Sequence, residues 1–210
     1  GQYSPTSRRG TISPSTPTGS LDNPVSAARF ALGCGARFVA RTIDTQQKRL
    51  PGILRRAHDF PGAGFVEIFQ NCIVYNDGVF NQFTDRDVAD DAQVHVEHGK
   101  PLIFGKNSDK GLHLDGRTLT LSAVDIGKNG VAESELLVHD ETNPALAALL
   151  AGMEPPEMPM ALGVLYCAPA PAYDALVNEQ IVAAAGGARP DRITGDINAL
   201  LRTGHTWTID

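Results

Sequence analysis

The sequence predicts an α/β protein with a mostly parallel sheet and a small β insertion, and three patterns predict it. Residues 37–43 (RFVARTI) and 64–70 (GFVEIFQ) are apolar, β-branched runs of strand length, with a segment of helical character between them. Strand, helix and strand within about thirty residues make a βαβ unit, whose crossover is right-handed and whose strands run parallel. Beyond Asp85 the pattern shifts to short alternating runs joined by Gly and Asp, VHVEHGKPLIFG and LHLDGRTLTLSAVD, which suit small strands or hairpins appended to the main sheet.

The remaining elements follow in order. Residues 1–23 are crowded with Ser, Thr, Pro and Gly and predict a long loop, because these side chains favour turns and local hydrogen bonds over helix or strand. Asn23 as N-cap and Pro24 at the first helical position predict a helix from Pro24 to Gly33, with Cys34 near its end. Asp44 and Thr45 cap a helix expected from Gln46 to His58 and broken or kinked near Pro51. A helix from Asn143 to Gly152, a strand from Ala161 to Cys167, a helix from Ala170 to Ala185 and a short tail helix from Ile197 to Arg202 complete the chain.

Composition narrows the function. The 210 residues are 42% hydrophobic and 20% charged, near the average of globular proteins, which argues against disorder. No apolar run of the length of a membrane span occurs. A formal charge of −6 disfavours nucleic acid and anionic membrane, which are met by clustered Lys and Arg. Three dispersed cysteines, Cys34, Cys72 and Cys167, do not make a disulfide framework, and a reducing cytoplasm is the expected compartment.

In open parallel sheets ligands gather at the carboxyl ends of the strands. That rule points to Gln70, Asn71 and Cys72, which follow the second strand. A lone cysteine beside apolar residues is more often a small buried hydrophobe than a ligand, so the residues alone leave both roles open for Cys72. Cys34 and Cys167 are assigned to packing. The opening loop offers Gln2, Tyr3, Ser4, Thr6 and Ser7 as hydrogen-bonding groups, with Gly1 and Gly10 as points of close backbone approach. The adjacent Arg8 and Arg9 suit contact with an anionic ligand or, as is usual for two neighbouring loop arginines, solvated surface charge. His95, Glu97 and His98 lack the spacing of a zinc helix, the glycines of PGAGF (61–65) precede a strand instead of following one, and Asp196 in TGDIN suits a helix terminus.

Taken together, GQYSPTSRRG (1–10), STPTGSLDNP (15–24), FVARTID (38–44), FVEIFQNCIVYNDG (65–78) and LLVHDE (136–141) resemble the beta subunit of 2-oxoacid:ferredoxin oxidoreductases, most closely the two-subunit, 2-oxoglutarate-associated branch. The resemblance spans the whole chain in order. It implies a thiamine-diphosphate-binding fold, with residues 1–84 as the carboxy-terminal part of the cofactor-binding core and 85–210 as the subunit's closing region. It implies oxidative decarboxylation of a 2-oxoacid to the acyl-coenzyme A, with thiamine diphosphate and magnesium, a 4Fe-4S cluster, an alpha-subunit partner and ferredoxin as acceptor. Gly1, Gln2, Tyr3, Ser4, Thr6 and Ser7 match the loop beside the thiamine cofactor, and Cys72 matches the cluster's fourth cysteine. The family's GDG…N motif for magnesium and diphosphate is absent here, and the resemblance implies that this motif and three further cysteines lie upstream. A non-oxidative thiamine-dependent decarboxylase and a cofactor-free assembly protein are the competing readings.

Overall fold

A computed structural model of the chain describes residues 2–127, 130–184 and the single positions 201, 204 and 207. It divides into two compact units, Gly1–Ala170 and Pro171–Asp210. In the first, helix α1 (Ala27–Gly33) leads into strand β1 (Phe38–Ile43), helix α2 (Leu50–Asp59) and strand β2 (Phe65–Phe69). Two short helical turns, α3 (Asn81–Thr84) and α4 (Ala89–Ala92), precede β3 (Gln93–Val96), β4 (Ile103–Phe104), β5 (Lys110–Asp115) and β6 (Thr120–Asp125). Helix α5 (Pro144–Ala151) and strand β7 (Met160–Cys167) close the unit. The described part of the second unit is the single helix α6 (Tyr173–Ala184). The tail helix expected over 197–202, and Asp196 with it, lie outside the described residues.

The βαβ unit folds as its pattern requires. β1 and β2 pair in parallel, from Val39 against Phe65 to Ile43 against Phe69. The main sheet runs in the order β2-β1-β7-β3, with β7 antiparallel to β1 and β3 parallel to β7, so two of its three pairings are parallel. β4, β5 and β6 form a separate three-stranded sheet, the small β insertion. β3 does not belong to that insertion: Gln93–Val96 joins the main sheet against Met160–Gly163. Its side chains explain why, since Val94 is fully buried and Val96 nearly so, and their shared face is covered by the core cluster on the main sheet.

Three local readings are corrected. The cap of α1 is Ser26, whose hydroxyl accepts from the Arg29 N–H, and Asn23 with Pro24 stay in the loop. The segment from Gln46 is broken near Pro51, as expected, but its first part is not helical. Residues 46–49 form tight turns, and α2 begins at Leu50 with proline in its first turn, where a missing N–H is harmless. Cys34 is exposed at the C-cap of α1 and does not pack, because that helix buries its Ala28 and Ala31 face instead. Cys167 is half-buried against the cluster of Phe38, Ala40, Phe60 and Val164, as a packing role requires. At α5 the Asn143 side chain accepts from the Ala145 and Leu146 N–H groups, and Gly152 ends the helix as expected.

The sheet is packed on both faces. On one, Val39, Leu146, Leu150 and Leu165 form a cluster that reaches Leu102 and Leu112 of the insertion. On the other, α2 lays Ile53 and Ala57 against Phe38 and Phe60, whose rings lie 5.4 Å apart. Gly163 of β7 has a φ of +132°, and a Cβ there would stand 2.6 Å from the Val96 carbonyl oxygen. No other residue fits that position without moving the β3–β7 pairing. Among the described residues no helix is long and apolar enough to cross a membrane.

Two histidines are held away from protonation. His139 is fully buried, with Nε2 2.9 Å from the Val164 carbonyl oxygen and Nδ1 without a partner; burial lowers its pKa. Burial, with Arg49 adding to it, lowers His95 to about 4. Both bind fewer protons folded than unfolded, so stability is present above pH 6.5 and declines as pH falls toward 4. Chemical denaturation from pH 7 to pH 4.5 is expected to give a falling midpoint, with a smaller fall in His139→Gln. Gly163→Ala is expected to cost about 1–3 kcal/mol, read from the same denaturation curves.

Candidate functional site

The polarity of the sheet brings several segments to one edge. β1 and β2 end there side by side, and the Asp44 N–H donates to the Phe69 carbonyl at 3.1 Å. Because β7 is antiparallel to β1 and β3 follows β7, Met160 and Gln93 begin at that same edge. Gln93 is tied in by its side chain, donating to the Phe83 carbonyl at 2.6 Å and accepting from Gln46 Nε2 at 3.0 Å.

A cavity of about 290 Å³ opens at this edge. Its floor is a charge pair carried by neighbouring strands. Arg41 of β1 and Glu67 of β2 are register partners, and Arg41 Nε donates to Glu67 Oε2 at 2.7 Å. The Arg41 guanidinium is buried, with a second N–H directed at the Met160 sulfur at 3.2 Å and a third at the Ala151 carbonyl at 3.3 Å. It also stands 5.6 Å from the centre of the Phe69 ring. Phe69, Phe80 and Phe83 pack with ring centres 5.0 to 5.8 Å apart and make an apolar wall. The lip is formed by Thr6 and Arg8 of the opening loop, and Arg8 donates to Gln82 Oε1 at 3.1 Å. A second cavity, of about 470 Å³, lies between the insertion and the 155–159 segment, lined by Asp87, Asp91, Asp125 and Glu157 around Lys110. Neither cavity is lined by a cysteine or a histidine; the smaller is the candidate site because it alone of the two is lined by the end of β2, at Phe69, and by the opening loop, at Thr6 and Arg8.

The opening loop is ordered by its own side chains. The Ser4 hydroxyl lies 3.0 Å from Thr6 Oγ1 and 3.2 Å from Ser7 Oγ, which also accepts from the Ser4 N–H at 3.0 Å. Ser20 Oγ donates to the Arg8 carbonyl and accepts from the Thr11 N–H, cross-linking the loop. Tyr3 donates to Asp22 Oδ2 at 2.5 Å; that hydrogen bond, before desolvation and the carboxylate charge, raises its pKa. Thus Ser4, Thr6 and Ser7 form one hydroxyl cluster and Tyr3 is committed elsewhere in the loop. Gln2 is exposed, and Gly1 lies outside the described residues.

Cys72 sits just past β2, in a small closed turn. Asn71 Oδ1 accepts from the Gly78 N–H at 3.0 Å and its Nδ2 donates to Asp77 Oδ1 at 2.7 Å, while the Asn76 N–H donates to the Cys72 carbonyl at 2.9 Å. The thiol is exposed, and hydrogen bonds from the backbone of Tyr75 and then Val74 lower its pKa toward the thiolate. Ile73, Val74 and Tyr75 stand out around it, 77%, 72% and 70% exposed, so the turn is apolar yet uncovered. Among the described residues no group of three or more His, Cys, Asp or Glu is placed to hold a metal. His98 Nδ1 accepts from the Glu141 N–H, and His95 is half-buried on β3.

The Arg41–Glu67 pair was not singled out in the sequence, although a signal was there. A single arginine in FVARTI and a single glutamate in FVEIF are the charged residues of two strands that their composition buries, and buried charges require partners.

A mixed α/β sheet whose strand ends converge on a cavity defines a class of ligand-binding enzymes and subunits, not a reaction. Comparison with known proteins specifies further. The chain is 36% identical, over all of its length, to the 2-oxoglutarate oxidoreductase subunit KorB of Mycobacterium tuberculosis, and it spans 55% of that protein. It is 36% identical over 77 residues to subunit beta of 2-oxoacid:ferredoxin oxidoreductase 1 of Aeropyrum pernix, which is 37% of this chain and 24% of that one. A 2-oxoacid:ferredoxin oxidoreductase beta subunit of Saccharolobus solfataricus matches at 30% over 88 residues, 42% of this chain and 29% of that one. The 2-oxoglutarate:ferredoxin oxidoreductase of Magnetococcus marinus, solved with 2-oxoglutarate, coenzyme A and succinyl-CoA bound, shares the fold, with a TM-score of 0.61 and 22% identity over 98% of this chain and 53% of that one. No protein-family model matches. These matches relate the chain to the beta subunits of 2-oxoacid:ferredoxin oxidoreductases, an oxidoreductase family, and it spans about half the length of the full-length relative.

Removing the buried arginine would strand Glu67 without its partner. Arg41→Met is expected to destabilise the chain by about 3 kcal/mol, and Arg41→Met with Glu67→Leu to recover most of that loss, measured by urea denaturation.

Proposed function

We propose that this chain is part of the beta subunit of a 2-oxoglutarate-type 2-oxoacid:ferredoxin oxidoreductase, working with an alpha subunit to convert a 2-oxoacid and coenzyme A to the acyl-coenzyme A and carbon dioxide, with ferredoxin as acceptor. The whole-length similarity to a 2-oxoglutarate oxidoreductase subunit supports the family. The observation that carries the chemistry is the position of Cys72: an exposed thiol, acidified by backbone N–H groups, held just past the carboxyl end of β2, an edge strand paired in parallel with β1.

These residues fit the groups that the family uses. A thiolate in an apolar, uncovered turn suits one ligand of a 4Fe-4S cluster, with the remaining ligands outside this chain. Ser4, Thr6 and Ser7, already joined by hydrogen bonds, present hydroxyls that suit the polar side of thiamine diphosphate and its magnesium, with Gln2 beside them. Gly1, which precedes Gln2 in the sequence, lacks a side chain and so permits close approach of backbone to the cofactor. When bound, thiamine diphosphate supplies the electron sink for loss of carbon dioxide and the cluster takes up electrons singly. The part of this chain is to fix a sulfur and a set of hydroxyls on a rigid sheet edge. The Asn71 clamp holds the sulfur, and the Ser20 cross-link holds the hydroxyls.

The test uses the full-length subunit assembled anaerobically with its alpha partner. Cys72→Ala is expected to lose cluster absorbance and abolish ferredoxin reduction. Full iron content in that variant excludes the ligand role, and a wild-type complex with neither iron nor thiamine diphosphate excludes the function.

A further inference from the structure

The edge cavity has a composition that a cysteine ligand and a hydroxyl loop do not explain. Its floor holds a buried guanidinium with one donor directed at a thioether, a weak acceptor that an oxygen outcompetes. Its lip holds Arg8, exposed, bonded to the neutral amide oxygen of Gln82 and in no ion pair among the described residues. The two arginines therefore differ in kind. Arg41 is neutralised by Glu67 and offers hydrogen bonds without net charge, whereas Arg8 keeps its full charge for an incoming anion. Arg8 gives the Gln82 amide oxygen a hydrogen bond alone, whereas a carboxylate adds the attraction of the opposite charge and can accept two parallel N–H bonds, so a carboxylate displaces Gln82. Phe69, Phe80 and Phe83 between lip and floor give a methylene chain an apolar wall.

Resting on the reading of this chain as part of a 2-oxoacid oxidoreductase, we propose that the cavity receives the carboxylate distal to the reacting carbon of a dicarboxylic 2-oxoacid, and that Arg8 sets the preference for such substrates by exchanging Gln82 for that carboxylate. Arg41 is the positioning residue beneath it, and its donor to the Met160 sulfur is the one for which a ligand oxygen competes. Glu154, exposed on the same cavity, opposes the incoming charge and limits the affinity. This gives the two lip residues effects of opposite sign.

The experiment measures kcat/KM for 2-oxoglutarate and for 2-oxobutyrate in the assembled two-subunit enzyme. Arg8→Met is expected to lower the ratio of the two by about 10-fold or more, the loss of one charge-assisted hydrogen bond, and Glu154→Gln to raise it. A ratio within about twofold of wild type in Arg8→Met, or a fall in Glu154→Gln, overturns the proposal. Should the wild-type enzyme turn over no 2-oxoacid, the proposed function fails. Titration calorimetry of glutarate into the chain then decides the pocket separately. Binding weakened about 10-fold or more by Arg8→Met sustains it; no binding, or equal binding, ends it.

Discussion

The parallel pairing of β1 with β2 is the constraint on which the rest of this structure depends. Its register sets Arg41 opposite Glu67 and brings Ile43 and Phe69 to a common end. A one-residue slip would turn each side chain to the other face, placing an unpaired guanidinium in one apolar cluster and removing the floor of the cavity. The ion pair is a specificity device more than a source of stability: in a buried setting the Coulombic gain and the desolvation penalty largely offset each other, whereas an unpaired member is costly. The register follows because the alternatives leave a buried charge alone.

Much of the fold was legible because it is written in local patterns. RFVARTI and GFVEIFQ carry strand composition, and the stretch between them has helical character, which suffices for a βαβ unit. Asn143 before Pro144 and Gly152 after Ala151 mark both ends of α5. Errors arose where two residues competed for one role. Asn23 and Ser26 are both competent caps, and the choice went to Ser26 because residues 23–26 are extended past the opening loop, with the Val25 N–H donating to the Pro5 carbonyl. The position of β3 was illegible for a different reason: QVHV alternates as an edge strand would, and its pairing with β7 is settled by residues more than sixty positions away.

The candidate site was legible in part. The strand-end rule identified the Cys72 turn, and the Ser and Thr composition identified the loop, but neither predicted the internal bonds that hold each in shape, since the partners of Asn71 and Ser20 are fixed only once the chain is folded. Arg8 shows the limit most clearly. As one of two adjacent loop arginines it reads as surface charge, and it is exposed, yet its hydrogen bond to Gln82 joins residues 74 positions apart across a cavity that no sequence window contains.

The reversed direction of β7 has a wider meaning. In a wholly parallel sheet, the ligand edge is built from segments leaving the strands; here the proline-rich stretch 154–159 arrives at that edge before β7 starts, and its Glu154 and Pro155 line the cavity together with Phe69 and Phe83 of the outgoing side. The two sides therefore answer to separate parts of the gene. Divergence in the arriving stretch can widen, narrow or recharge the hollow while the outgoing strand tips stay as they are, which lets one scaffold diversify in what it admits.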